Sequence, residues 1–163
     1  MNKVNREAIK ALLETEDSAT ISLYLPTHRF PTSEHIGEDK IRLKNLVRAG
    51  KEALGAQGID EGLIEQTVST IEQNYYDNES FWQQTTEGLA LFASPAGVWY
   101  FHLPMECEEY SSAGDRYDIT PLLAAMSCDQ PYYILALAAH TPALYKGDMY
   151  GIERVEIDLP TSA

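Results

Sequence analysis

His28 and Arg29 come directly after the apolar run Ile21-Ser-Leu-Tyr-Leu-Pro26. A histidine and an arginine at the end of a buried strand are residue types that can hold a phosphate or a carboxylate, and His35 lies close enough in sequence to join them. The plainer reading is that His28 caps the loop and Arg29 pairs with a nearby acid. The cations continue downstream as Lys40, Arg42, Lys44, Arg48 and Lys51, so six of the 12 Lys and Arg residues fall between His28 and Lys51. Only Glu34, Glu38 and Asp39 oppose them, which leaves this stretch positive in a chain whose formal charge is −13. On a helix, Lys40, Lys44, Arg48 and Lys51 share one face. Like charges at that spacing repel by about 0.2 to 0.5 kcal/mol per pair, so the stripe needs an anion or an acidic neighbour. Two readings are open. It is an RNA or anion contact, together with His28, Arg29 and Arg42, or it is a solvated flank set against Glu61, Glu65 and Glu72 of the following helix.

Other candidate chemistry resolves into simpler roles. Asp115, Arg116 and Asp118 have the residue types of a carboxylate pair with a cation, but in a polar turn they read better as one internal ion pair. Tyr75, Tyr76, Phe81 and Trp82 can stack bases, yet they suit packing between a helix and a sheet. Cys107 and Cys128 stand apart, and neither they nor His28, His35, His102 and His140 show metal-ligand spacing, so reduced thiols, no metal and no cofactor are expected. The chain has no glycine-rich phosphate loop, no GxSxG and no HExxH. Its acidic balance argues against a wholly basic RNA-binding surface but allows a local one. No apolar run approaches the ~18 residues of a membrane span and the amino terminus is not signal-like, so a cytoplasmic protein is expected.

These residues must be positioned by elements whose periods are legible. A short helix is predicted over 5–16 and a buried strand from Thr20 to Leu25, ending at Pro26. A loop from Thr27 to Gly37 then precedes a helix from Asp39 to Leu54, stopped by Gly55, with Leu43, Leu46, Val47, Gly50 and Leu54 facing the core. A second helix begins after Asp60 and runs to Tyr75, burying Ile64, Val68 and Ile71; the two form an antiparallel hairpin. The runs Gly88–Ala93 and Val98–Leu103 flank Ser94-Pro-Ala-Gly97 and predict a β-hairpin. Glu106 to Ser111 reads as a short strand, and Thr120 as the N-cap of a helix with Pro121 in its first turn. Tyr132 to Ala139 suits a central strand, followed by Ala143 to Lys146 and Gly151 to Leu159. The fold class is α+β: a mainly antiparallel sheet with a helical hairpin and a C-terminal β-hairpin. A sheet left open at Leu159 calls for further chain or a partner, and a homodimer through the C-terminal strands is one expectation.

The order of segments is recognisable. Ile21-Ser-Leu-Tyr-Leu-Pro26 with Thr27-His28-Arg29, the Ile41-Arg-Leu-Lys-Asn-Leu46 helix, Gly88-Leu-Ala-Leu-Phe92, Gly114-Asp-Arg-Tyr-Asp118 with Pro121-Leu-Leu123, and Tyr133 to Tyr145 with Gly151 resemble, in that order, the archaeo-eukaryotic peptide-chain release factor family, above all its bacterial branch. The resemblance implies that 1–129 is the amino-terminal domain and that 130–163 are the opening strands of a middle domain. It implies a translation setting with ribosome or tRNA as partner. The family's Gly-Gly-Gln peptide-release motif is absent, since no two consecutive glycines occur, so the chain is expected not to be an enzyme. The Asn-Ile-Lys-Ser decoding motif is absent too, with Asp39-Lys-Ile41 standing near its place. A noncatalytic recognition module follows from this reading; the alternative is a stress-related protein-interaction module that binds no nucleic acid.

Overall fold

The computed structural model describes residues 4–127, 130–137, 142–148 and 150–156. They divide between two compact units, Met1–Leu123 and Ala124–Ala163. In chain order come α1 (Arg6–Glu14), β1 (Thr20–Pro26), α2 (Ser33–Ala56), α3 (Glu61–Ile71), a π-helical turn (Glu72–Tyr76), α4 (Glu79–Trp82), β2 (Gly88–Ser94), β3 (Gly97–Leu103), β4 (Tyr110–Gly114), α5 (Thr120–Ser127), β5 (Tyr132–Ala136), β6 (Ala143–Asp148) and β7 (Gly151–Val155). The fold is α+β with two antiparallel sheets, ordered β3-β2-β1-β4 and β5-β6-β7. No helix among the described residues is long and apolar enough to cross a membrane.

The first sheet is organised by β1, which is buried along its length and pairs with β2 on one side and β4 on the other. Its residues Ile21, Leu23 and Leu25 join Leu89, Leu91 and Ala93 of β2 in a core that α2 and α3 close with Leu43, Leu46, Val47, Ile64, Val68 and Ile71. The expected hairpin of helices is present. Lys51 meets Glu65 and Lys44 meets Tyr76, which fixes its antiparallel sense. α2 lies across β1 and β4, and α3 across β2 and β3. The opposite face of the sheet carries an aromatic cluster in which Phe92 meets Tyr24, Phe101 and Tyr117 edge-on.

Several boundaries differ from the sequence expectation, each for a local reason. α2 begins at Ser33 rather than Asp39, because Thr32 and His35 form a capping box: Thr32 Oγ1 accepts from the His35 amide and His35 Nδ1 accepts from the Thr32 amide, both at 3.3 Å. The segment read as loop up to Gly37 is therefore partly helix. Gly55 does not stop α2. The helix continues to Ala56 and ends in a Schellman motif, with Gly58 at φ 75°, its amide on the Gly55 carbonyl and the Ile59 amide on the Leu54 carbonyl. Asp60 caps α3 as expected, but α geometry gives way to the π-helical turn at Glu72.

β4 runs from Tyr110 to Gly114, not from Glu106 to Ser111. The residues paired with β1 are the small Ser111, Ser112, Ala113 and Gly114, over which α2 approaches closely enough for Ser111 Oγ to donate to the Leu46 carbonyl at 3.1 Å. The internal ion pair expected in 115–118 is not made. Arg116 binds Glu16 at 2.7 Å, while Asp118 accepts from the Tyr110 hydroxyl and the Thr120 amide. Thr120 is the first residue of α5 rather than its cap.

In the second unit β6 is central, so Tyr132–Ala136 is an edge strand and not the central one expected; it is exposed along most of its length. Across from Tyr132 stands Gly147, and the tyrosine ring fills the space a side chain there would need. Cys128, His140, and the ends of the expected strands at Ala139 and Leu159 lie outside the described residues.

Candidate functional site

β1 delivers its end to a point where two hydroxyl contacts and one amide contact fix the backbone. Thr27 Oγ1 donates to the Thr86 carbonyl at 2.7 Å, Thr85 Oγ1 to the His28 carbonyl at 3.0 Å, and the Thr27 amide to the Glu87 carbonyl at 3.0 Å. His28 is thereby held against α2. Its Nδ1 lies 3.2 Å from both carboxylate oxygens of Asp39, and its ring stacks on His35 with centroids 4.1 Å apart and planes 6° from parallel.

Asp39 is fully buried, and a carboxylate in that position needs partners on every lone pair it presents. Arg42 supplies the cation at 2.9 Å and also reaches Glu109 at 3.3 Å and Glu38 at 3.8 Å. The Asp39 carboxylate accepts the hydrogen on His28 Nδ1, and Nε2 has no partner among the described residues. Arg29 turns to Glu87 at 3.1 Å. Phe30 follows at φ 58°, a left-handed conformation that costs a non-glycine residue energy, and it is almost fully exposed.

A pocket of about 240 Å³ sits here, lined by Pro26, Thr27, His28, Arg42, Glu87 and Glu106. Its charge is mixed: the one arginine that lines it is tied to three carboxylates. Nor does a nucleophile stand ready. Burial pushes the Cys107 thiol up to about 11, so it stays protonated near neutrality. The arrangement orients an imidazole and clamps α2 to the end of β1 and the approach to β4.

The seven sequence candidates thus separate into two groups. His28, Arg29 and Arg42 gather at the end of β1. Lys40, Lys44, Arg48 and Lys51 lie along α2. Only Lys51 meets the acidic flank of α3, binding Glu65 at 2.7 Å, a contact that raises its pKa. Lys44 lies 5.1 Å over the Tyr76 ring, and Arg48 donates to Asn45 at 3.4 Å. Among the described residues no carboxylate lies within ion-pair distance of Lys40, Lys44 or Arg48. Of the aromatic group, Tyr75, Phe81 and Trp82 are largely buried and pack with the core, and Tyr76 is partly open. No cluster of three His, Cys, Asp or Glu side chains suited to a metal occurs among the described residues.

Asp39 and Phe30 were missed by the sequence reading. Asp39 is given no side-chain partner there, although its spacing to Arg42 at i, i+3 signals a pair on one helix face. Phe30 carried no sequence signal for its backbone conformation.

No protein-family model matches the chain, and no curated protein is similar to it. It is similar to two solved structures, an archaeal protein with a TM-score of 0.48 and an archaeal translation termination factor with a TM-score of 0.49, each 18% identical. In both, 92% of this chain is covered and it spans 42% of the other chain's length.

Proposed function

We propose that the chain is a noncatalytic amino-terminal module of a release-factor-like protein of the bacterial branch, which meets ribosomal or transfer RNA through the exposed face of α2. The observation that carries this reading is the charge pattern of that helix. In the first unit Lys10, Arg29, Arg42, Lys51 and Arg116 are each tied to a carboxylate, whereas among the described residues Lys40, Lys44 and Arg48, in a row on α2, have none, and neither has the isolated Arg6 of α1. A row of like charges left unneutralised in a chain of −13 costs stability, and phosphate is the ligand that repays it. Lys51, engaged by Glu65, falls outside the contact. The order of motifs from Ile21 to Gly151 supports the family reading. A cytoplasmic location goes with that role.

The test is binding of the purified chain to ribosomes and tRNA across salt. Three phosphate contacts give a slope of about −2.7 in log affinity against log salt, a loss of about 40-fold between 50 and 200 mM. Reversal of Lys40, Lys44 and Arg48 to Glu should abolish binding with the fold intact. Binding that ignores both salt and the reversals refutes the reading. A second reading, a stress-related protein-interaction module, draws on the exposed Tyr132, Tyr133, Ile134 and Leu135 of the edge strand β5. It requires binding to protein that persists at high salt and no binding to RNA at low salt.

A further inference from the structure

At the far end of α3 from the Gly58 turn, the helix widens into the π-helical turn Glu72–Tyr76. Such turns are rare and frequently stand at functional sites. This one is braced by Trp82, whose indole N–H donates to the Tyr75 carbonyl at 2.7 Å. It presents Asn74 and Tyr75 to a pocket of about 290 Å³, bounded also by α4 and the β3 residues Tyr100 and His102.

The chemistry of the lining is unusual for this chain, because no charged side chain contributes to it. Tyr75, Phe81 and Tyr100 form an aromatic wall with centroids 4.6 to 5.8 Å apart. His102 packs on that wall, 5.7 Å from Phe81 and 5.4 Å from Tyr100, and is 3% exposed. Its Nδ1 is buried without a hydrogen-bond partner, the one such side-chain atom among the described residues. A buried polar atom left unpaired costs about 1 to 3 kcal/mol. Burial lowers its pKa to about 4, so the ring is neutral at pH 7 and has one donor and one acceptor to offer. Ser80 and Gln84 at the rim make no side-chain hydrogen bond among the described residues, and the Asn74 amide uses only its nitrogen, on the Thr70 carbonyl.

We propose that this pocket binds a small, uncharged, planar heteroaromatic ring of the nucleobase class, stacked against the tyrosines and read along its edge by His102, Gln84 and Asn74. Three properties select that class. A lining without charge disfavours phosphate and carboxylate ligands. Aromatic walls favour a planar π system. Mixed donors and acceptors of amide and imidazole type match an edge that alternates donor and acceptor. The volume, at the low end for ligand sites, limits the ligand to roughly one ring system. The proposal does not rest on the RNA reading of α2, whose cations are not in this lining.

The experiment is an NMR titration of the full chain with adenosine, with uridine and with a short single-stranded oligoribonucleotide, following the side-chain amides of Asn74 and Gln84 and the His102 ring. Saturable shifts at those groups are expected with at least one probe. A nucleoside that binds by itself indicates a free metabolite, and binding of the oligonucleotide alone indicates a base within a strand. Gln84→Ala and His102→Phe should each weaken binding at least tenfold. The phenylalanine variant should remain folded because its ring replaces the imidazole among Phe81 and Tyr100; if it does not fold, the rim variant alone decides. The chain with Lys40, Lys44 and Arg48 reversed should retain this binding. No saturable shift with any probe at millimolar concentration, or affinities unchanged in the folded variants, overturns the proposal.

Discussion

Gly50 and Gly37 lie in the same helix, yet the same substitution should act on them in opposite directions. Replacing a glycine inside a helix by alanine recovers about 1 kcal/mol of backbone propensity. At Gly37 nothing lies within 4 Å of the added methyl, so Gly37→Ala should stabilise by about 0.5 to 1 kcal/mol. At Gly50 the methyl would stand 2.9 Å from Cγ2 and 3.2 Å from Cδ1 of Ile21. Ile21 cannot easily retreat: it is fully buried, β-branched, and paired on both sides with Ala93 and Ala113. Overpacking of that kind costs about 1 to 3 kcal/mol, which cancels or exceeds the propensity gain and leaves Gly50→Ala destabilised by up to about 2 kcal/mol. Urea unfolding followed by Trp82 and Trp99 fluorescence, both in the first unit, reads the shift in midpoint at constant slope. Equal stabilisation by the two substitutions would refute the close packing of α2 on β1.

Two further predictions concern buried charge. Arg42→Ala strands the fully buried Asp39 carboxylate with His28 as its only side-chain partner and should cost about 2 to 4 kcal/mol in urea unfolding, whereas Arg29→Ala, which opens a half-exposed pair with Glu87, should cost under about 1 kcal/mol; equal costs would mean that Asp39 is not buried. His102, with its folded pKa lowered to about 4 against an ordinary value of 6.5, binds its proton more weakly when folded, so its contribution is complete above pH 6.5 and is lost at up to about 1.4 kcal/mol per pH unit as pH falls toward 4. The stability difference between wild type and His102→Phe across that window should carry this slope, and a difference independent of pH would show the imidazole to be hydrated.

The elements whose signal is local were legible. Hydrophobic period gave the facing of α2 and α3 down to Leu43, Leu46, Ile64 and Val68, and Ser94-Pro-Ala-Gly97 gave the hairpin, because each of these rests on residues within a few positions of one another. The errors arose where a distant partner decides. β4 is placed by what β1 and α2 tolerate, namely small side chains, and not by the composition of its own segment. β5 reads as central because it is apolar, but apolarity does not distinguish an interior strand from an edge that is left exposed. The start of α2 escaped because histidine takes the place of the usual glutamate or glutamine in the capping box.

The same distinction governs the site. The cationic spacing on α2 could be read directly, since i, i+4 geometry belongs to the helix alone. Which of those cations are neutralised depends on the neighbour, and there the expected match with Glu61, Glu65 and Glu72 was met only at Lys51. The second helix leaves α geometry at Glu72, and it is Tyr76, not one of those acids, that lies beneath Lys44. An aromatic ring holds an ammonium without cancelling its charge, so Lys44 is oriented yet still available to a phosphate. The π-helical turn therefore contributes to two places at once: Tyr76 lies under Lys44 of the α2 stripe, and Asn74 and Tyr75 line the uncharged pocket around His102.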